Sequence, residues 1–162
     1  MQIPLVVLSA NAGDREFLVD MLLEAVNWHP DREITREVLL AEPRLVQYVT
    51  DWPRPGELGV VAVVDGQRIG AAWLRSFGAD DPGYGYVADD VPELSIALVA
   101  SWRRRGIGRL LLRDLAERAR SAGFRGISLS VERANPAASL YAAEGYRIVR
   151  HDGDADVMTL AL

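Results

Sequence analysis

The feature that most constrains the fold is a short turn of arginine and glycine set between two apolar segments. The turn reads Arg103-Arg104-Arg105-Gly106-Ile107-Gly108, after a strand-like stretch at 94–99 and before a helix-like stretch at 110–119. Glycines remove the Cβ atoms that would block close approach, and a helix start adds backbone N–H donors. Arginines supply permanent charge and paired donors. The pattern predicts a diphosphate site, with an ordinary surface helix start as the alternative.

Two common phosphate-binding motifs are excluded by the letters around this turn. A P-loop needs a lysine, and the sequence contains none. A dinucleotide-binding fingerprint needs a small third residue where this chain has Leu111. The turn therefore predicts a phosphate site of another kind.

The segment Ile96–Val99 followed by Arg103–Leu111 resembles the coenzyme A signature of the GCN5-related N-acetyltransferase (GNAT) family. That signature is Gln or Arg, two residues, Gly, one residue, then Gly or Ala. A second family pattern covers 131–141 and closes at Glu144-Gly145-Tyr146. The resemblance implies an α/β fold with a central mixed, mostly antiparallel sheet, flanking helices and a splayed parallel strand pair. We expect a single domain over residues 1–162.

The resemblance also implies acetyl-coenzyme A (acetyl-CoA) as cosubstrate and indicates which residues bind it. The backbone of one strand would pair with the pantetheine arm, the turn would surround the diphosphate, and an asparagine would contact the arm. These residues are Ala97, Leu98 and Val99 on the strand, Arg104, Arg105, Gly106, Ile107, Gly108 and Arg109 in the turn, and Asn135. Asparagine is also a good helix N-cap, so a double role is expected for Asn135.

Two further residues acquire catalytic roles from the resemblance. Tyr141 would be the general acid that protonates the departing thiolate, with a packed aromatic residue as the alternative. Glu93 would deprotonate the amine directly or through water, although a carboxyl pKa near 4.3 needs burial to rise. The alternative for Glu93 is an exposed carboxylate at a strand end, and Glu132 is a second candidate for the base. Tyr141 would also contact the coenzyme.

The expected reaction is direct transfer of the acetyl group to a primary amine, on a small molecule or a protein N-terminus. A backbone N–H near Val99 would stabilise the oxyanion. The absence of cysteine excludes a cysteine nucleophile. A non-catalytic acyl-CoA-binding sensor is the rival function, and another acyl donor or an oxygen acceptor stays open.

Charge is unevenly distributed along the chain. Residues 1–100 hold seven arginines and sixteen acids, whereas residues 101–162 hold eleven arginines and seven acids. The acidic part favours a cationic amine over nucleic acid as second substrate, or it only promotes solubility. No run reaches the ~20 apolar residues of a membrane span and no signal pattern begins the chain, so a cytoplasmic location is expected. A metal site is not expected, and a homodimer is implied only by the resemblance.

The pattern along the chain predicts seven strands and a set of helices in the order βααβββαβαββ. Strands are expected at 3–8, 58–64, 68–77, 93–99, 126–131, 146–150 and 156–162, and helices at about 14–26, 34–49 with a break at Pro43, 106–122 and 136–144. The resemblance implies that acceptor specificity lies in the first helices and the loops around them, here 27–56 and 78–92. Aromatic residues that could line a pocket, or simply pack, are Trp28, Trp52, Trp73, Tyr84 and Tyr86.

Overall fold

The computed structural model describes residues 4–162, and its core is a seven-stranded sheet in the order β1-β2-β3-β4-β5-β7-β6. The strands are β1 Leu5–Ser9, β2 Gly59–Val64, β3 Gln67–Arg75, β4 Glu93–Leu98, β5 Gly126–Glu132, β6 Arg147–Asp152 and β7 Ala155–Ala161. The helices are α1 Arg15–Val26, α2 Arg36–Ala41, α3 Pro43–Val46, α4 Ile107–Ser121 and α5 Ala137–Ala143. All strand pairs are antiparallel except β4 with β5. The predicted fold class is confirmed.

Each face of the sheet is covered by its own apolar cluster. On one face α4 buries a stripe of residues at helical spacing, because Ile107, Leu111, Leu112 and Leu115 recur every three or four positions. On the other face α1 packs against Trp73 of β3, which is fully buried. None of the helices in residues 4–162 is long and apolar enough to cross a bilayer.

The parallel strands β4 and β5 pair at a single position and then separate. Glu93 is the register partner of Ser128, and the Ser128 N–H donates to the Pro92 carbonyl at 2.9 Å. Beyond this point each strand keeps its antiparallel neighbour on the outer side, β3 or β7. The divergence opens a cleft toward the carboxyl ends of both strands, as the resemblance implied.

Several boundaries differ from the sequence prediction for local reasons. The helix expected at 34–49 is two short helices, since Glu42 adopts an extended conformation before Pro43 and the second helix ends at Val46. The strand expected at 68–77 ends at Arg75. The predicted Asp65-Gly66 hairpin is confirmed, with positive φ angles of 51° and 77° at its two residues. Ile3, at the start of the first predicted strand, lies outside the described residues.

Candidate active site

The cleft between β4 and β5 has a volume of about 970 Å³ and contains most of the residues singled out from the sequence. The predicted residues that line it are Glu93, Ala97, Leu98, Arg104, Gly108, Asn135 and Tyr141. The reserve base Glu132 lines it as well. The fold therefore brings residues from a strand, a turn and a helix to one cavity. Glu93 and Tyr141, for example, are 48 positions apart in the sequence and both line it.

One end of the cleft is the arginine turn at the start of α4. Gly106 is the N-cap residue with φ 79°, and its left-handed conformation leaves open space where a Cβ would stand. The first N–H groups of α4 have no partner within the helix, and the helix dipole favours an anion there. Arg104, also left-handed at φ 63°, is exposed beside these amides. This end suits a phosphate group.

The other residues of the turn have partners of their own. Arg103 pairs with Glu24 of α1 at 2.8 Å, and the Arg105 guanidinium lies 4.8 Å from the Trp102 ring centroid. Arg109 pairs with Glu144 at 3.1 Å, outside the cleft lining. The Ile107 side chain is buried in the core. Coenzyme binding by Arg105, Gly106, Ile107 and Arg109 stays a prediction.

Along β4, the backbone N–H and C=O groups of successive residues point alternately toward β3 and toward the cleft. The Val99 N–H donates to the Ile69 carbonyl of β3 at 2.8 Å, so Val99 and Ala97 direct their backbone groups toward β3. The intervening residues Ile96 and Leu98 direct theirs toward the open cleft. The predicted Val99 amide is thus occupied, and the amides of Ile96 and Leu98 are the donors that the cleft offers to a ligand.

Asn135 both caps a helix and lines the cleft, in the place where the sequence suggested a double role. Its Oδ1 accepts the Ala137 N–H at 3.0 Å, which caps the start of α5, and the residue also lines the cleft. Because the cap uses only the oxygen, the Nδ2 amide hydrogens are left to donate elsewhere.

Tyr141 enters the cleft from α5. Its ring lies 6.0 Å from that of Tyr146, and burial raises the pKa of Tyr141 to about 12. A phenol with this pKa stays protonated at neutral pH, so its proton is available to a developing negative charge and its oxygen does not act as a base. Tyr141 is therefore suited to act as an acid and unsuited to act as a base.

Glu93 is a buried carboxylate, so the alternative of an exposed strand-end residue is excluded. Only 4% of Glu93 is exposed, and burial raises its pKa to about 7. The Gly85 N–H, which donates to Oε1 at 2.6 Å, and the nearby Tyr48 hydroxyl partly oppose that shift. A carboxyl group that titrates near neutrality can exchange a proton with a substrate at working pH.

Glu132 has a different environment at the carboxyl end of β5. Arg32 makes two hydrogen bonds of 3.0 Å to its carboxylate, and the Trp28 indole N–H donates to it as well. The Arg32 guanidinium holds the pKa of Glu132 below its usual value. A paired carboxylate with a lowered pKa is a poor base, so the geometry favours Glu93.

The aromatic residues that the sequence suggested for a pocket separate into two groups. Trp28 and Tyr84 line the cleft, whereas Trp52 and Trp73 are buried in the core and Tyr86 contacts Asp89 outside it. The simple packing alternative therefore holds for Trp52 and Trp73. Arg44 lies over the Tyr84 ring at 4.3 Å from its centroid.

Sequence reasoning missed three residues around Glu93. Tyr48, from the segment after α3, lines the same cleft as Glu93, while Gly83 and Gly85 let the loop 76–92 approach Glu93. A Cβ on Gly83 would lie 2.6 Å from Glu93 Oε1, and one on Gly85 would lie 2.6 Å from the Leu129 carbonyl carbon. The sequence signal for these contacts is the Gly83-Tyr84-Gly85 spacing in a loop, and that spacing does not indicate which residue the loop contacts.

A mixed sheet with a splayed parallel pair, a glycine and arginine turn at a helix start and a buried carboxylate together define an acyltransferase architecture. The model of the acetyltransferase (GNAT) family matches residues 23–146. This chain belongs to that family, as the sequence motifs indicated.

Solved structures of the same fold cover nearly the whole chain. A GCN5-related N-acetyltransferase from Kribbella flavida is 26% identical, with a TM-score of 0.69 and 98% of each chain covered. The PaiA N-acetyltransferase from Thermoplasma acidophilum, in complex with coenzyme A, is 20% identical, with a TM-score of 0.69, 99% of this chain and 100% of that chain covered. The yncA protein from Salmonella typhimurium, with its cofactor acetyl-CoA, is 21% identical, with a TM-score of 0.67 and 98% and 94% covered. No curated protein matches the chain in sequence.

Proposed function

We propose that the protein is an acetyl-CoA-dependent N-acetyltransferase that transfers the acetyl group directly to a primary amine. The observation that carries the proposal is the buried Glu93, which lines the same cleft as Tyr141. A non-catalytic acyl-CoA-binding protein would need the arginine turn but has no use for a buried carboxylate that titrates near pH 7.

The residues of the cleft fit coenzyme A. The amides at the start of α4 and the Arg104 guanidinium suit the diphosphate, and the amides of Ile96 and Leu98 suit the pantetheine arm. The Asn135 amide is a further donor. Two relatives of the same fold carry coenzyme A or acetyl-CoA, which supports this choice of cosubstrate. When bound, acetyl-CoA supplies an acetyl group already activated as a thioester.

The chain itself contributes proton transfer and positioning. The Glu93 carboxylate accepts a proton from the acceptor ammonium, directly or through water, so that the neutral amine nitrogen can attack. The amides of Ile96 and Leu98 are available to stabilise a developing oxyanion. The Tyr141 hydroxyl donates its proton to the leaving thiolate. Holding the reactants side by side supplies much of the acceleration.

The acceptor enters, in this proposal, beside Trp28, Tyr84 and Glu93. A small amine and a protein N-terminus both fit these residues. A cytoplasmic location, a single domain over residues 1–162 and a homodimer stay predictions from the sequence.

The test is a thiol-release assay with acetyl-CoA and a panel of primary amines, including peptides with free N-termini. We expect acceptor-dependent release with the wild type and a loss of 10²-fold or more in kcat with Glu93→Gln, while acetyl-CoA binding is retained. Acetyl-CoA binding without transfer to any amine in the panel would contradict the enzyme and favour the acyl-CoA-binding alternative.

A further inference from the structure

The part of the cleft beside Trp28, Tyr84 and Glu93, here called the acceptor end, has apolar walls. Besides the two aromatic rings, four side chains that belong to one apolar cluster of the core line the cleft: Val26, Ile34, Leu45 and Tyr48. A ligand group that enters such walls loses its water without gaining polar partners. The walls therefore favour an uncharged, apolar group.

The charged side chains around these walls neutralise each other. Arg32 makes two hydrogen bonds of 3.0 Å to the Glu132 carboxylate, and Arg103 pairs with Glu24 at 2.8 Å. Among the described residues that line the cleft, Arg32 is the only arginine outside the turn 103–108. A carboxylate on the acceptor would thus find the nearby guanidinium already paired.

The aromatic rings do not form a cage for a second cation. The Arg32 guanidinium lies 5.8 Å from the Trp28 ring centroid, and the Arg44 guanidinium lies 4.3 Å from that of Tyr84. A ring attracts a cation through its negative face, and a positive charge that is already close repels another. Trp28 and Tyr84 therefore offer apolar contact.

Further acidic groups lie far along the sheet from Glu93. Asp152 and Asp154 line the cleft from the turn between β6 and β7, and Asp152 pairs with Arg150 at 3.1 Å. Asp154 directly precedes the register partner of Glu132, whereas Glu93 is the register partner of Ser128. Four strand residues separate these levels, which is about 13 Å. A short diamine held at Glu93 cannot reach Asp154.

The wall that carries Trp28 is held in place by its own hydrogen bonds. The Asn27 side chain donates to the Ile34 carbonyl at 2.8 Å and accepts the Ile34 N–H at 2.9 Å. Arg32 also donates to the Val26 carbonyl at 3.0 Å. The apolar surface is thus preformed, which lowers the cost of binding a ligand to it.

We propose that the acceptor is a primary monoamine with an uncharged apolar body, aromatic or aliphatic, whose ammonium group meets Glu93. Glu93 has no ion-pair partner among residues 4–162, so its carboxylate is the charge that the acceptor end presents to a ligand. This inference deepens the proposed function and rests on it.

The experiment measures the affinity of amines for the wild type saturated with coenzyme A, by calorimetry, and kcat/KM for acetyl transfer in parallel. Two pairs of amines differ by one charged group. They are 2-phenylethylamine with L-phenylalanine, and hexylamine with 1,6-diaminohexane. We expect the first member of each pair to bind at least tenfold more tightly. Spermine, which is long enough to span 13 Å, should bind more weakly than 2-phenylethylamine.

Two leucines provide matched variants. Leu45 lines the cleft, whereas Leu40 on α2 is 42% exposed and lies outside the lining. Leu45→Asn should weaken 2-phenylethylamine binding at least tenfold, and Leu40→Asn should leave it unchanged. Retained coenzyme A binding shows that each variant is folded, and the amine pairs on the wild type decide the question if Leu45→Asn is not.

The inference is overturned if the more highly charged amine of either pair binds as well as its partner, if spermine binds more tightly than 2-phenylethylamine, or if both leucine variants lose equally. Failure of the proposed function looks different, because amine binding needs no turnover. In that case the affinities keep the expected order and no amine is acetylated.

Discussion

Arg32 and Glu132 form an ion pair with two hydrogen bonds of 3.0 Å at the edge of the cleft. Arg32 comes from the segment between α1 and α2, and Glu132 is the last residue of β5. The pair therefore connects the segment after α1 to the carboxyl end of β5. The Arg32 guanidinium also holds the pKa of Glu132 below its usual value. A carboxylate used in this way is a structural partner, which leaves the proton transfer to Glu93.

The first prediction follows from this division of roles. Glu132→Gln weakens the contact with Arg32 and should raise KM for the acceptor several-fold, because the segment that carries Trp28 loses its anchor. The acidic limb of kcat/KM should stay where the Glu93 pKa places it, at about 7. A full pH profile with a saturating acetyl-CoA concentration measures both effects. A limb that disappears in Glu132→Gln would make Glu132 the base.

Burial of Glu93 has a cost in stability that depends on pH. Its pKa rises from an ordinary value of 4.5 to about 7 in the folded protein, so the folded state binds the proton more tightly than the unfolded chain. Stability is therefore lost as pH rises through this window, by on the order of 3 kcal/mol in all. Glu93→Gln should be more stable than the wild type at pH 8 by that order.

Urea unfolding of both proteins at pH 4.5 and pH 8 measures this difference. The two should be similar in stability at the lower pH, where Glu93 is protonated in the folded state. A gain in Glu93→Gln that is the same at both values would show that the carboxyl group is not the cause.

Tyr141→Phe should lower kcat by 10²-fold or more and leave KM for acetyl-CoA within a few-fold, because it removes the proton donor but keeps the ring. Tyr146→Phe is the matched control, since its ring lies 6.0 Å from that of Tyr141 and outside the cleft lining. Steady-state kinetics of the two variants should differ strongly. Equal losses would indicate that the pair contributes packing alone.

Gly83→Ala should reduce kcat at least tenfold, because the added methyl group would stand 2.6 Å from Glu93 Oε1 and 2.9 Å from the Phe77 ring. Either the carboxylate or the loop must move. Gly78→Ala in the same loop is the control, since its Cβ would meet nothing within 4 Å. Turnover and thermal unfolding of both variants separate loss of positioning from loss of stability. Full activity in Gly83→Ala would contradict the arrangement described around Glu93.

Local chemistry made much of the fold predictable from the sequence. Some features depend only on the backbone preferences of a few adjacent residues. These are the Asp65-Gly66 turn, the break at Pro43 and the helix start after Gly106. The apolar spacing of α4 predicted its buried face. The order of strands and helices followed from these signals.

The surroundings of the site depend on contacts that no local pattern encodes. Tyr48 lies 45 positions before Glu93 in the sequence, and the hydrogen bond of its carbonyl to Trp73 of β3 helps to bring both residues to one cleft. Likewise, the backbone alternation that turns Ile96 and Leu98 toward the cleft depends on the register with β3. The ion pair of Arg32 with Glu132, 100 positions apart, has no signal in either neighbourhood.

The most direct test of the central claim is calorimetric titration of acetyl-CoA into the wild type, Arg104→Glu and Arg120→Glu. Arg104 lines the cleft, whereas Arg120 pairs with Glu117 at the far end of α4. We predict saturable binding at one site in the wild type and in Arg120→Glu, weakened at least tenfold in Arg104→Glu by the reversed charge beside the diphosphate. Absence of binding in the wild type, or equal affinity in all three proteins, would contradict the assignment of this cleft to acetyl-CoA.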